Sequence, residues 1–249
     1  MGCTRVWRLA GIGAVTALAL AACGDDGATV SLKTPTDGAA VAGAVELVMA
    51  ADGITIEEAG EARDGAGHFH VIADDGCVAT GEPVPKDADH VHFGSGASTG
   101  SIYLEPGEHE LCLQAADGVH NALAVTDTIS VNVGVDSLDD WCIVVGQIDE
   151  LFTETDNSDD DFAVKQLGYE NITRLIAQAV AGAEHIDATA RDDVLTSIDV
   201  ADALASTFAN AADEFAVADE VTEIFTTRGD DMELGAPYIA DTCGIDVNG

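Results

Sequence analysis

The chain has 249 residues, of which 46 are acidic and 9 are basic, so its formal net charge is -37 at pH 7. A chain of this length allows one large domain or two ordinary ones. The scarcity of Lys and Arg argues against nucleic acid as a partner, because phosphate binding depends on clustered basic side chains. An acidic, well-solvated surface is therefore expected.

The first residues have the form of an export signal. Arg5 and Arg8 precede a run of small and apolar residues that is too short to span a bilayer as a helix, which predicts a signal peptide over residues 1–22. The run ends in LAAC followed by Gly24, which resembles the lipobox of bacterial lipoproteins. That resemblance implies lipidation of Cys23 and an extracytoplasmic protein, anchored to the outer face of the cell membrane or held in the periplasm. The alternative is an ordinary signal peptide with a chance Cys.

The remaining cysteines are even in number, namely Cys77, Cys112, Cys142 and Cys243. An even set in an exported chain indicates two disulfides, for which three connectivities exist. We predict that Cys77 pairs with Cys112 and Cys142 with Cys243, because each pair then falls within one of two regions that differ in their hydrophobic period.

The first of these regions has the pattern of short β-strands. After a tether over residues 23–28, residues 29–135 contain roughly seven short runs of alternating polarity, separated by turn signals such as Asp75-Gly76 and Pro106-Gly107. This pattern predicts an Ig-like antiparallel β-sandwich.

The second region, residues 136–249, has a helical pattern. Ile172, Leu175 and Ile176 follow the three-and-four spacing of one helix face. We predict a small helical bundle of about four helices between Leu138 and Ile239, closed by the Cys142–Cys243 disulfide.

Histidines are concentrated in the predicted sandwich. Two strand-like segments each carry a His-x-His pair, His68 with His70 and His90 with His92, and His120 follows the turn at Asp117-Gly118. Alternate residues of a strand share a face, so each pair presents two imidazoles together. If the two strands are neighbours, their imidazoles converge, and neutral imidazole is a ligand for Cu(II) and Zn(II). The sequence thus predicts a Cu(II) or Zn(II) site formed by these pairs together with His120.

The same segments resemble a known family, the bacterial domain of unknown function family 4399, from about residue 30 to residue 133. Members carry a GHHHLLID-like strand, a HIHFG-like strand, a PGxH turn and a late DGxH element. In the same order this chain has GHFHVIAD at 67–74, HVHFG at 90–94, PGEH at 106–109 and DGVH at 117–120. It departs from the family at Phe69, where members have a middle His, and at Leu123, where many have another. The resemblance implies the sandwich fold and export, and metal binding follows from it only by inference.

Two other functions fit the sequence. One is a non-enzymatic surface scaffold or adhesion module, in which the histidines are structural and the helical region docks an unidentified envelope protein. The other is an enzyme like copper,zinc superoxide dismutase, because GHFHV followed by Cys77 weakly resembles a strand and Cys of that family. No Arg stands near Cys112, and a strongly negative chain repels superoxide. We therefore expect a binding protein and no enzyme.

Overall fold

The structure is a computed structural model that describes residues 27–158, 160–213 and 215–247. The predicted signal peptide and Cys23 lie outside these residues. Within the described ranges, nine strands precede five helices, which confirms the predicted order of a β-rich region and a helical region. The strands are β1 (Thr29–Thr34), β2 (Ala39–Val41), β3 (Val45–Asp52), β4 (Thr55–Ile56), β5 (Ala66–Ala73), β6 (His90–Phe93), β7 (Thr99–Ile102), β8 (Gly107–Ala116) and β9 (Ala122–Val133). The helices are α1 (Leu138–Asn157), α2 (Phe162–Ala181), α3 (Arg191–Ala209), α4 (Ala218–Met232) and α5 (Ala236–Cys243), with a short 3-10 helix, Ala183–His185, between α2 and α3.

The strands form two sheets that face each other. One has the order β1-β3-β7, and the other has the order β2-β9-β8-β5-β4, with β6 also paired to β5. Two pairs, β2 with β9 and β4 with β5, are parallel, whereas the remaining pairs are antiparallel as predicted. Apolar side chains from both sheets, including Leu47, Phe69 and Leu113, form one buried core between them.

The outer face of β5 is also buried, although it points away from this core. A half-buried strand is expected to alternate, yet every residue of β5 is buried. The segment between β5 and β6 covers the outer face, and the Cys77–Cys112 disulfide ties this segment to β8. The Gln114 side chain adds hydrogen bonds to the backbone N–H and C=O of Val78. This cover buries the outer face of β5, including its polar side chains.

The helical region has its own apolar core, centred on buried residues such as Trp141, Ile172 and Leu175. It contains five helices where about four were predicted. The added helix, α5, has Pro237 in its first turn, where the missing N–H and the fixed φ of proline are tolerated. The Cys142–Cys243 disulfide joins α1 to the end of α5 and closes the helical region as predicted.

The two disulfides indicate an extracytoplasmic location, because cytosolic thiols are kept reduced. Among the described residues, no helix is both long enough and apolar enough to span a membrane.

Helix α2 joins the two regions. The Gln178 side chain accepts a hydrogen bond from Gly43 N–H and donates to the carbonyl of Leu104, both in the β-rich region. The Arg174 guanidinium donates to the carbonyl of Tyr103 and to the Asp89 carboxylate, just before β6. These contacts fix the helical region against the segment that leads into one of the histidine strands.

Candidate metal centre

The pairing of β5 with β6 brings the two His-x-His segments together. The strands are antiparallel neighbours, and His70 lies directly opposite His92. His68 is on the same face of β5, one strand repeat away. The side chains of Phe69 and Val71 in β5 point into the core between the sheets. Those of the histidines point to the covered outer face.

A fourth imidazole enters from the turn between β8 and β9. The Asp117 side chain accepts hydrogen bonds from the backbone N–H groups of Val119 and Asn121, which fixes the turn. His120 then adopts a left-handed backbone conformation with φ of 71°. Non-glycine residues rarely occupy this region, and those that do are concentrated at functional sites. The conformation directs the His120 ring to within 3.0 Å of His92, measured between their Nε2 atoms.

His68, His70, His92 and His120 together form a compact group, which we call the histidine cluster. The Nε2 atoms of His68 and His70 are also 3.0 Å apart. One ring nitrogen from each of the four residues lies within 4.8 Å of every other. Since a zinc–imidazole bond is about 2.0–2.1 Å long, two nitrogens that bind one ion stand about 3–4 Å apart. Two nitrogen pairs of the histidine cluster have this spacing, at 3.0 Å, and all four nitrogens lie within 4.8 Å, so the group could hold a single metal ion.

The inner half of the histidine cluster is uncharged at neutral pH. Burial, followed by the neighbouring His92 and His120, lowers the pKa of His68 to about 4. Burial and the surrounding histidines lower the pKa of His70 to about 3. Burial, followed by the neighbouring His120 and Lys86, also lowers the pKa of His92. Neutral imidazole is the form that binds metal, so no proton has to be displaced from these rings at pH 7.

The burial of these histidines lowers the stability of the folded protein. The Nδ1 atoms of His68 and His70 are buried and have no hydrogen-bond partner among the described residues. A buried polar atom without a partner costs about 1–3 kcal/mol of stability. Residues chosen for stability alone would be apolar at these positions, so the histidine cluster has the character of a functional site.

Two glycines near the outer rings permit close contacts that a side chain would block. A Cβ at Gly94 would lie 2.0 Å from Cε1 of His92, so the ring occupies the space that any other residue would fill. A Cβ at Gly118 would lie 2.5 Å from the carbonyl oxygen of Glu61. Neither role was predicted from the sequence, although Gly94 ends the HVHFG segment and Gly118 belongs to DGVH.

The structure does not bring every candidate ligand into the histidine cluster. His90 is buried opposite Ile72, two residues along β6 from His92, and its Nδ1 is 2.7 Å from the Asp87 carboxylate. It lies outside the group of four. His109, the His of the PGEH segment, contacts the Asp74 carboxylate through Nδ1 and the Glu105 carbonyl through Nε2, each at 2.7 Å. It therefore braces the turn before β8.

Comparison with known proteins supports the family resemblance. Residues 47–134 match the family model described as a domain of unknown function, DUF4399, which confirms the resemblance over that part of the chain. No curated protein matches the chain. Among solved structures, the endo-β-1,4-mannanase from Thermotoga petrophila is similar at 20% identity and a TM-score of 0.26. The similarity covers 43% of this chain and only 20% of the mannanase chain.

Proposed function

We propose that the protein binds one divalent transition-metal ion, Cu(II) or Zn(II), through His68, His70, His92 and His120. The observation that carries the proposal is the convergence of four imidazole nitrogens within 4.8 Å on a covered sheet face. Four neutral nitrogen donors suit Cu(II) and Zn(II), whereas Mg²⁺ and Ca²⁺ prefer oxygen.

The histidine cluster is closed on one side and open on the other. His68 and His70 are fully buried, whereas His92 is exposed and His120 is half-buried. An ion held here meets solvent on the side of His92 and His120. The inner pair supplies a fixed half-site, and the outer pair is the side through which the ion enters.

The decisive experiment is equilibrium dialysis against Cu(II) and Zn(II), with a soluble form that begins at Gly24. It is done in 1 M salt, where the Debye length is about 3 Å, so that loose association of cations with the acidic surface is screened. We expect one tightly bound equivalent. Its affinity should fall at least about 100-fold in a His70→Ala, His92→Ala double variant, because half of the donor set is lost.

A matched double variant, His90→Ala with His109→Ala, controls for the loss of two histidines. Both are in the β-rich region and outside the histidine cluster, so tight binding should persist. If the two double variants bind metal equally, the histidine cluster does not hold the ion. Its imidazoles are then structural, as in a scaffold module.

We further propose that the protein works outside the cytoplasm, attached to the membrane by lipid at Cys23. The support is the LAACG segment, together with disulfides that need an oxidising compartment. Full-length protein expressed in a bacterium should partition into the detergent phase of a Triton X-114 extraction. A Cys23→Ser variant should partition into the aqueous phase, and equal partitioning of the two would exclude the lipid anchor.

A further inference from the structure

The helical region contains an apolar cavity that shares no residue with the histidine cluster. Its volume is about 410 Å³, and all five helices contribute to its lining. Packed protein interiors leave few voids larger than a water molecule. Pockets that bind small molecules measure about 300–1,000 Å³ and are mainly apolar with a few polar groups. The cavity has the size and the character of such a pocket.

Helix α4 forms an incomplete wall on one side. Only Ile224 of this helix is buried, although Val221, Phe225 and Met232 line the cavity. The Phe225 side chain is 52% exposed while it lines the cavity, so this aromatic ring stands at the opening. An apolar molecule bound inside would cover Phe225 and the half-buried Val221 and Met232, which line the cavity.

The charged side chains that line the cavity are all acidic. Besides Ser197 and Tyr169, the polar lining residues are Asp149 and Asp156, and none of the described lining residues is basic. Asp156 accepts a hydrogen bond from the Tyr169 hydroxyl. The Ser197 hydroxyl donates to the Asp231 carbonyl and accepts from Gly235 N–H. The Asp156 carboxylate is thus engaged by Tyr169, whereas the Asp149 side chain accepts no hydrogen bond from the residues that the structure describes.

The surroundings of Asp149 disfavour its negative charge, and a nearby cation would stabilise that charge. It is half-buried on α1, and burial together with the nearby Asp246 raises the pKa of its carboxyl. No ion pair to Asp149 occurs among the residues that the structure describes. A positive group beside this carboxylate would stabilise its ionised form, whereas a second anion would be repelled.

We propose that the helical region binds a small amphipathic amine, with its apolar body in the cavity and its ammonium group against Asp149. Charge complementarity selects this class over fatty acids and other apolar anions. The apolar walls select it over free polyamines and metal ions, which have no apolar body.

The test compares three ligands with the same alkyl chain, decylamine, decanol and decanoate, by isothermal titration calorimetry on the whole soluble chain. It is run in 1 M salt, where the general attraction of amines to an acidic surface is screened. We expect decylamine to bind about tenfold more tightly than decanol, which corresponds to one partly buried charge pair. Decanoate should bind more weakly than decanol. Decanoate that binds as tightly as decylamine overturns the proposal.

Two variants on α1 separate the cavity from the acidic surface. Asp149→Asn keeps the shape of the side chain and should reduce the preference for decylamine over decanol to about twofold or less. Glu150→Gln removes the same charge from the adjacent, exposed residue and should leave that preference unchanged. Equal preferences in both variants mean that Asp149 does not recognise the amine, which contradicts the proposal.

The position of the ligand is measured without a variant. Methyl resonances of Ile148, Ile198 and Met232, which line the cavity, should shift when decanol is added. Those of Val30 and Leu47, in the sandwich core, should not. Unchanged cavity resonances at a saturating concentration would show that the cavity excludes alkyl chains, and the proposal would fail.

Discussion

The position of the His92 ring depends on the absence of a side chain at Gly94. A methyl group at Gly94 would overlap the ring, which is the movable partner of that contact. A Gly94→Ala variant should therefore fold, with the His92 ring displaced from the histidine cluster. Changes that misplace a metal ligand typically lower metal affinity about 10–100-fold, and we expect that loss for Cu(II) or Zn(II) in competition with a chelator.

Gly60→Ala is the matched control for this substitution. A Cβ at Gly60 meets no atom within 4 Å, and Gly60 lies close to the turn that carries His120. Its metal affinity should equal that of the unmodified protein. Equal affinities in all three proteins would show that the position of His92 does not control the ion.

The pH dependence of stability follows from the buried imidazoles. His68 and His70 have folded-state pKa values of about 4 and about 3, below the usual 6.5. At pH values between 6.5 and these folded-state values, the unfolded chain therefore binds more protons than the folded chain. Stability from this source is fully present above pH 6.5 and is lost as the pH falls toward 4. Between pH 7 and pH 5 the metal-free protein should lose about 2 kcal/mol for each of these two imidazoles.

Urea unfolding of the metal-free protein at a series of pH values between 5 and 7 measures this effect. A His70→Asn variant should lose about half of the slope, since one of the two buried imidazoles is gone. Carboxylates whose pKa is held low by hydrogen bonds, such as Asp74 and Asp117, begin to contribute only at lower pH. A slope that is the same in both proteins would mean that His70 is not the group that resists protonation.

The sequence predicted which strands carry the histidines but not the register in which those strands pair. His90 and His92 share a face of β6, yet only one of them can lie opposite His70. Register is set by short turns where they exist, and β5 and β6 are joined by the long segment from residue 74 to residue 89. The disulfide and the side-chain contacts that order this segment are long-range, so the exclusion of His90 could not be read from local spacing.

Periodicity identified the longer elements and missed the shortest ones. The alternation of β1, β3 and β9 is visible in their sequences, whereas β2 and β4 have three and two residues and leave no period to detect. The predicted bundle ended at Ile239, inside α5, because this helix has only eight residues and leaves little period to detect. His120 was predicted from the turn before it, because Asp-Gly reverses the chain and places the next residues over the sheet edge.

Contacts of α2 connect the stability of the helical region to the stability of the strands that carry the histidines. Arg174 donates to Tyr103 and Asp89, and Gln178 binds the backbone at Gly43 and Leu104. Asp89 directly precedes β6, which carries His92. A ligand that binds only the folded state stabilises every part that unfolds together with its site. A bound metal ion should therefore raise the melting temperature of the helices as well as that of the sandwich.

An Arg174→Met variant tests this coupling. Methionine keeps an apolar side chain of similar length but removes the hydrogen bonds to Tyr103 and Asp89, at a cost of about 2 kcal/mol. The helices should then melt more independently, so Zn(II) should raise their melting temperature by less than half of the shift seen in the unmodified protein. The helical signal in far-ultraviolet circular dichroism reports this directly, because all α-helices of the described part of the chain lie in the second region.

Lys165→Met is the control, since it removes the same charge from the same helix. Among the described residues its Nζ donates to the carbonyl of Asp156, within the helical region, so the Zn(II)-induced shift should be retained in full. A full shift in Arg174→Met would mean that Gln178 and the other backbone contacts suffice to make the two regions unfold as one. A reduced shift in Arg174→Met alone would place the energetic connection at the contacts of Arg174 with Tyr103 and with Asp89, which lies three residues before His92.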